Sequence, residues 1–413
     1  MRIARIVLLL TLLPGLSLRA EEKPKVIWSV DLRANGVDEA VWKYRYWGYF
    51  VGIAVNANRV VVALRCPSAP LTKGPYRGQW EVRLPVFDAR TGKLLTQRGP
   101  WRDIYLFTLR STAEGNFLLI LQPNYTKAAN ETVLLLSSEG EELKRLDLEY
   151  SRRKGVPGPP KVFLSASGRT SLIESRSDDI WRYRVLSADT LEPRMMWNET
   201  AQSGRPAAVA ISDEDILAAE EYKADYPGYA GKRKQKFFVR KLGDVWSDSS
   251  RSLPTTGNNE DSIFLPTAFL NNQEIVGQAC NNPNCWKMAL AKTDGSIVSR
   301  YRIPKSLGYS AARGLVSVKK DGRYFATELF HESSLSHWWD TDADMWSFGD
   351  KFLVYVWDTK AEGPIAKITL GERLHAYCFV EGETPSLAVL DGRDLKLLSI
   401  DAKALAEPQT NHW

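Results

Sequence analysis

Short runs of alternating apolar and polar residues fill most of the chain, and helical periodicity is scarce after residue 20. Each run is followed by a turn rich in Asp, Asn, Ser or Gly and then by another run, which is the pattern of antiparallel β-hairpins. One such hairpin with a polar tip recurs along the chain. Its seven copies begin at residues 53, 108, 163, 209, 267, 316 and 377.

A second marker, a strand followed by a turn, alternates strictly with this hairpin. Its copies begin at residues 85, 134, 183, 237, 288, 354 and 395. Each repeat of about 50 residues therefore holds about four strands, which is typical of a β-propeller blade. Radial stacking buries one blade against the next, because a single sheet cannot cover both of its faces. We predict an all-β chain with a single seven-bladed propeller of four-stranded antiparallel blades over residues 21–406.

The two ends of the chain complete this picture. The seventh repeat supplies three strands and is followed by a polar tail at 407–413, whereas an unassigned strand begins at Lys25. We expect this N-terminal strand to pair with the C-terminal blade and close the ring. Before it, residues 1–20 place Arg2 and Arg5 ahead of the apolar run Ile6–Leu13, as in a secretory signal peptide. This run is too short to span a bilayer, so we expect a secreted or periplasmic protein without a membrane span after signal removal.

Composition and charge narrow the possible partners. The chain has 413 residues, of which 44% are apolar and 25% charged, and this excludes a disordered polypeptide. The formal net charge is +6, and about half of it belongs to the predicted signal peptide. So weak a positive charge argues against a nucleic-acid partner.

The four cysteines fit an exported protein. Cys280 and Cys285 flank a short polar loop, and in an oxidising compartment we expect them to form a disulfide. Their spacing is a poor match to a zinc site. Cys66 and Cys378 each lie in an apolar strand, where they are either buried thiols or a pair between neighbouring blades.

Several repeats resemble those of known propellers. The segments beginning at Ser165 (SASGRTSLI) and Ser317 (SVKKDGRYFA) are similar to TolB-type repeats, and the segment from Val86 (VFDARTGKLL) resembles quinoprotein repeats. The resemblance is thus to secreted bacterial propellers of the TolB, quinoprotein and tryptophan–aspartate types. It implies that Asp88 caps a turn and that Gly92 is left-handed. It also implies that ligands bind where the inter-blade loops and the loops between second and third strands surround the central channel.

Three segments in such loops carry candidate ligand-binding side chains. In the segment at 42–50, aromatic residues alternate with cations. Such rings can stack on sugars or a flat cofactor, or can pack between blades. The insertion at 328–349 combines histidines with tryptophans, and the loop at 220–236 carries tyrosines beside basic residues. The candidates are Trp42, Tyr44, Arg45, Tyr46, Trp47, Tyr222, Tyr226, His331, His337, Trp338 and Trp339.

The insertion also opens like a calcium loop, with Asp340, Asp342 and Asp344 at alternate positions. The pattern then fails, because Met345 replaces the glycine and Lys351 the bidentate glutamate of an EF-hand. The alternatives are an irregular Ca²⁺ site, a transition-metal site that includes the histidines, or a solvated acidic loop.

No sequence signature assigns a catalytic residue. The chain lacks the G-x-S-x-G, P-loop and H-E-x-x-H motifs. We therefore predict a scaffold that binds a protein or glycan partner on its loop-rich face. The alternatives are a carbohydrate-active or quinone-dependent propeller enzyme and a structural subunit of an envelope assembly.

Overall fold

The fold consists of β-strands joined by short turns. The computed structural model describes residues 24–37, 51–68, 80–123, 130–148, 161–177, 180–200, 205–223, 234–241, 263–280, 286–294, 296–301, 309–331, 352–361, 364–371 and 375–400. In this part of the chain, 27 strands form seven antiparallel sheets. The first strand along the chain is β1 (Lys25–Asp31).

Sheets 1 to 3 follow one another along the chain. Sheet 1 contains β2 (Val51–Val55), β3 (Arg59–Pro67), β4 (Trp80–Asp88) and β5 (Leu94–Arg102). Sheet 2 contains β6 (Ile104–Ser111), β7 (Phe117–Pro123), β8 (Glu131–Leu136) and β9 (Glu142–Leu148). Sheet 3 contains β10 (Lys161–Leu164), β11 (Thr170–Ser177), β12 (Ile180–Ser187) and β13 (Pro193–Thr200).

Sheets 4 to 7 complete the fold. Sheet 4 contains β14 (Arg205–Ile211), β15 (Ile216–Lys223) and β16 (Lys234–Lys241). Sheet 5 contains β17 (Ile263–Phe269), β18 (Glu274–Cys280), β19 (Trp286–Lys292) and β20 (Ile297–Tyr301). Sheet 6 contains β21 (Tyr309–Val318), β22 (Tyr324–His331), β23 (Phe352–Asp358) and β24 (Pro364–Leu370). Sheet 7 contains β25 (His375–Val380), β26 (Ser386–Asp391) and β27 (Asp394–Ser399), with β1 beside β27.

The middle strands are apolar on both faces because each sheet is covered on both sides. In β3, Val60 and Val62 belong to one core, whereas Val61 and Ala63 belong to another. Successive side chains of a strand point to opposite faces, so one continuous apolar run supplies both cores. Complete burial of a valine or leucine side chain contributes about 1.5–3 kcal/mol to the free energy of unfolding.

Seven apolar clusters are found among the described residues, and six of them lie between two sheets that follow one another along the chain. The cluster between sheets 2 and 3, for example, contains Ile120 and Ile173. Another cluster joins sheet 7 to sheet 1, with Leu390 and Leu397 packed in the same core as Val62. Strand β2 also contacts β25 and β26 directly.

The predicted all-β propeller of four-stranded antiparallel blades is confirmed, but seven complete blades are not. Six sheets have four strands, and sheet 4 has three in the described part of the chain. The described part of the chain therefore shows six complete blades rather than the predicted seven, and residues 242–262, which follow the third strand of sheet 4, lie outside it. The predicted signal peptide and the polar tail lie outside them as well.

The N-terminal strand belongs to the last sheet. Strand β1 pairs antiparallel with β27, and Val26 lies opposite Leu398, Trp28 opposite Leu397 and Val30 opposite Leu395. The register shifts between Val26 and Trp28, so Ile27 forms a bulge. Such a bulge bends an edge strand and increases its twist.

Candidate functional site

The two ends of the sheets differ in how their polar groups are paired. We use the term lower end for the end that carries the turns between first and second strands and between third and fourth strands. The opposite end, where second strands finish and third strands begin, is the upper end. The resemblance to known propellers implies that ligands bind at the upper end.

Asp88 shows how a lower-end turn pairs its own polar groups. Its Oδ1 accepts hydrogen bonds from the hydroxyl and amide of Thr91 at 2.7 and 2.8 Å and from the amide of Arg90 at 3.1 Å. These bonds, those from Thr91 above all, lower the pKa of the Asp88 carboxyl. Gly92 closes the turn with a φ of 71°. The roles that the resemblance implies for Asp88 and Gly92 are confirmed.

One type of contact recurs between neighbouring sheets at the lower end. A side chain on the outermost strand of one sheet donates a hydrogen bond to a backbone carbonyl in the third-to-fourth turn of the next. The donors and carbonyls are Trp28 and Ala89 (2.9 Å), Arg98 and Glu139 (3.0 Å), Lys144 and Thr190 (2.6 Å), and Tyr301 and Thr359 (3.3 Å). Sheet 7 therefore contacts sheet 1 through Trp28 in the same way as other sheets contact their neighbours.

Charged side chains are buried at both ends. At the lower end, Lys319 and Asp358 pair with Asp321 and Arg323 of one turn, and at the upper end several charges lie within the strands. Arg65, near the end of β3, is 6% exposed and lies over the ring of Trp80 at 4.3 Å and over that of Tyr105 at 5.4 Å. Its guanidinium also donates a hydrogen bond to the Tyr105 carbonyl. Burial lowers the pKa of Arg65 to about 10. The cation therefore links sheets 1 and 2 through aromatic faces.

Two further upper-end sites hold buried carboxylates with a basic partner. Glu81, at the start of β4, accepts a 2.7 Å hydrogen bond from Nε of Arg83 on the same strand. Glu328 of sheet 6 lies 2.9 Å from Nε2 of His375 of sheet 7, and both side chains are less than a tenth exposed. Burial, reinforced by the charge of Glu328, raises the pKa of the Tyr377 phenol well above its usual value.

Glu131 is the upper-end carboxyl whose proton affinity is most altered. It begins β8, is 2% exposed, and its Oε1 lies 3.4 Å from Nε2 of Gln122. No hydrogen-bond partner for its Oε2, or for Oε1 of Gln122, is found in the described part of the protein. Burial raises the pKa of Glu131 to about 7, and the charge of Arg184 opposes that rise.

Most of the predicted ligand-binding residues lie outside the described residues. Tyr222 lies in β15, and His331 is the last residue of β22. Their positions in these two strands do not bring the two residues together at one site. Those outside the described residues are Trp42, Tyr44, Arg45, Tyr46, Trp47, Tyr226, His337, Trp338, Trp339, Asp340, Asp342 and Asp344.

The cysteine predictions have mixed outcomes. Cys66 and Cys378 are both free, so the alternative of a bond between them is wrong. Cys280 ends β18 and Cys285 lies outside the described residues, so their disulfide stays a prediction.

Sequence reasoning missed the buried charges of the upper end. Arg65, Gln122 and Glu131 each stand beside a run of apolar residues in one strand. An isolated charge in such a run is an available signal, because burial of an unpaired charge is costly. The apolar runs were instead interpreted only as core strands.

No helix in the described residues is long and apolar enough to cross a membrane. No group of three or more His, Cys, Asp and Glu side chains lies close enough together there to hold a metal ion.

Comparison with known proteins identifies the fold. No protein-family model matches the chain, and no curated protein matches it. Among solved structures, the β-propeller domain of the Trilobed protease from Pyrococcus furiosus matches 85% of this chain and 95% of its own, with a TM-score of 0.50 and 12% identity. Acylaminoacyl peptidase from Pyrococcus horikoshii (TM-score 0.49, 11% identity, 87% of this chain and 54% of that one) and TolB from Acinetobacter baumannii (0.39, 14%, 83% and 80%) also match. Together with the sheet topology, the likeness to the Trilobed protease domain shows that this chain has the β-propeller fold.

Proposed function

We propose that this protein is an exported β-propeller scaffold that binds a protein or glycan partner through the upper end of its sheets. The observation that carries the proposal is the difference between the two ends. At the lower end, polar groups are used in turns and in contacts between sheets. At the upper end, charged side chains such as Arg65, Glu131 and Glu328 are buried within the strands.

A rigid, closed ring suits this role. We propose that the seven sheets are seven blades, closed by β1 in the last sheet. The cluster that joins Leu390 to Val62 and the bond from Trp28 to Ala89 support this arrangement. The Trilobed protease domain is described as having an open velcro topology. Pairing between β1 and β27 distinguishes this chain from an arrangement in which the terminal strands stay apart.

Ring closure can be tested by truncation. We expect a chain lacking residues 1–31 to unfold at a clearly lower denaturant concentration than one lacking only residues 1–20. The physical reason is that β1 covers an edge of β27 and packs Trp28 against the turn of sheet 1. Equal stability of the two truncated chains would contradict the proposal.

Export rests on the N-terminal sequence pattern of residues 1–20. We propose that this segment directs secretion and is then removed, and that Cys280 and Cys285 form a disulfide in the oxidising compartment. Mass spectrometry of the exported protein tests both points. The expected result is a chain that begins near Glu21 and lacks two hydrogens relative to its reduced form.

Binding can be tested on glycan and peptide arrays with the chain lacking residues 1–20. We expect saturable binding that falls at least tenfold in Trp47→Ala or Trp338→Ala. Arg90→Ala is the matched control, because Arg90 lies in an exposed lower-end turn. Equal loss in the control, or no binding on either array, would contradict the scaffold proposal. Turnover of a bound glycan would favour the carbohydrate-active alternative.

A further inference from the structure

A hydrogen bond crosses the central channel near its lower end. Lys320, in the first turn of sheet 6, donates from Nζ to the carbonyl of Thr112 in the first turn of sheet 2, at 3.1 Å. Sheets 7 and 1 lie between these two sheets in the order of the apolar clusters. The Lys320 side chain therefore spans the space that the inner strands surround, and it narrows the lower opening of the channel.

A second cation faces the same space. Arg110 lies two residues before Thr112, whose carbonyl Lys320 bonds, or about 7 Å along the chain. Arg110 is a half-buried residue, and its guanidinium interacts electrostatically with Cys378 of sheet 7, although sheet 1 stands between sheets 2 and 7. Only the central channel allows that interaction. Burial lowers the pKa of Arg110 from its usual value, and an arginine nevertheless keeps its charge in proteins.

Neither cation forms an ion pair within the part of the chain that the structure describes. The Arg110 guanidinium has five N–H donors, and one of them bonds the Leu109 carbonyl at 2.9 Å. The nearby carboxylates have other contacts. Asp189 accepts hydrogen bonds from the hydroxyl of Thr112 and the amide of Glu114, and Asp321 pairs with Lys319.

One acidic group lies near the Cys378 thiol. Glu381 acts electrostatically on Cys378 but has no ion pair with Arg110 or Lys320 in the described part of the chain. Burial raises the pKa of the Cys378 thiol, so this sulfur supplies no negative charge at neutral pH. A partly desolvated pair of cations without a counterion is unfavourable unless an anion binds beside them.

We infer that the lower part of the channel binds a small oxyanion or carboxylate between Arg110 and Lys320. A guanidinium matches two oxygens of such an anion in a planar, two-bond geometry, whereas an ammonium acts as a point charge. Oxyanions should therefore bind more tightly than chloride. Because Lys320 bridges the lower mouth, the anion enters from the upper end.

Thermal unfolding in sulfate, acetate and chloride, as sodium salts at constant ionic strength, tests the inference. We expect sulfate and acetate to raise the unfolding temperature of the chain lacking residues 1–20 in a saturable manner, with chloride less effective. Arg110→Gln should raise the half-saturating concentration of sulfate or acetate at least tenfold. Arg90→Gln, which removes the same charge from an exposed lower-end turn, should leave it unchanged.

Other outcomes would overturn the inference. Equal responses of Arg110→Gln and Arg90→Gln would show a general salt effect, and an unsaturable response would show that there is no site. If Arg110→Gln fails to fold, Lys320→Gln serves as the second variant, because Lys320 lies in a turn and is partly exposed. An unaltered half-saturating concentration in Lys320→Gln would exclude the two-cation site.

Discussion

Polar side chains are paired in different ways at the lower and upper ends of the sheets. At the lower end, Asp88 and its counterparts accept hydrogen bonds from their own turns, and four sheets donate a side-chain hydrogen bond to a backbone carbonyl of the next sheet. At the upper end, Arg65, Glu131 and Glu328 are buried in strands. Local chemistry suffices for a turn such as that of Asp88, whereas Arg65 and Glu328 depend on partners in the neighbouring sheet.

This difference suggests a division of roles. Lower-end groups bond within their own turns and to the next sheet, so that end joins neighbouring sheets to one another. Upper-end charged groups are buried, and their surroundings determine their proton affinity and the groups with which they pair. The following predictions separate the two ends, from the largest expected effect to the smallest.

The largest effect is expected from a glycine at the lower end. Gly322 has a φ of 69°, and a Cβ added there would overlap the carbonyl oxygen of Leu270 in the neighbouring sheet. We expect Gly322→Ala to lower the free energy of unfolding by about 3–4 kcal/mol, since backbone strain and overlap add together. Urea unfolding measures this change.

Gly115 is the matched control for this prediction. It has a φ of 81°, but a Cβ there would lie 3.7 Å from the nearest atom, on Asn56. Gly115→Ala should therefore cost only the conformational term, about 1–2 kcal/mol. Similar losses in the two variants would show that close packing between sheets adds nothing at the lower end.

The next effect concerns pH and the upper end. Because the pKa of Glu131 is raised from its usual 4.5 to about 7, the folded state holds this proton more tightly than the unfolded state. Its contribution to stability is therefore complete below pH 4.5 and is lost as the pH rises to 7. Glu131→Gln should be more stable than the unmodified protein by about 3 kcal/mol at pH 8 and nearly equal to it at pH 4.

Glu81→Gln provides the comparison for Glu131. Glu81 is similarly buried but bonds Arg83 at 2.7 Å. Its replacement should destabilise the protein at pH 8, because it removes one member of a buried pair. Chemical denaturation at both pH values measures the difference, and stabilisation by both variants would contradict the assignment of Glu131 as an unpaired carboxyl.

A smaller effect is expected where the N-terminal strand meets sheet 1. Trp28→Phe keeps an aromatic ring against Gly92 but removes the 2.9 Å hydrogen bond to Ala89. The loss should be about 1 kcal/mol, the usual net contribution of one such bond. Urea unfolding of the variant measures this loss, and an unchanged midpoint would show that the hydrogen bond does not stabilise the protein.

The smallest effect serves as the baseline. Arg145 and Glu142 form an exposed ion pair at 3.0 Å on the outer strand β9. Arg145→Gln should change the free energy of unfolding by less than about 1 kcal/mol, and less still at high salt. A larger loss would mean that outer-strand charges stabilise the ring as much as the lower-end contacts do.

Much of the fold could be predicted from local patterns. The hairpin tips and turns recur with residues such as Asp88 and Gly92 that act within a few positions of the chain. The predicted N-terminal strand likewise lies beside β27. Such features depend on short-range hydrogen bonding and on alternation, both of which are visible in a linear sequence.

The candidate sites could not be predicted in the same way. Glu328 and His375 are separated by 46 intervening positions and meet only because sheets 6 and 7 are neighbours. Lys320 of sheet 6 and Thr112 of sheet 2 are still further apart along the chain and also meet through a hydrogen bond. No local pattern marks such pairs, and the sequence analysis placed its candidates in aromatic loops instead.

The sequence by itself determined the β-strand repeats, the turn chemistry and the alternation that makes both faces of each sheet apolar, because these depend on neighbouring residues. The tertiary structure decided which charged groups are buried together, that the pKa of Glu131 is raised, and that Lys320 of sheet 6 bonds Thr112 of sheet 2. Burial and long-range electrostatics depend on how the sheets are arranged around their axis, and that arrangement exists only in three dimensions.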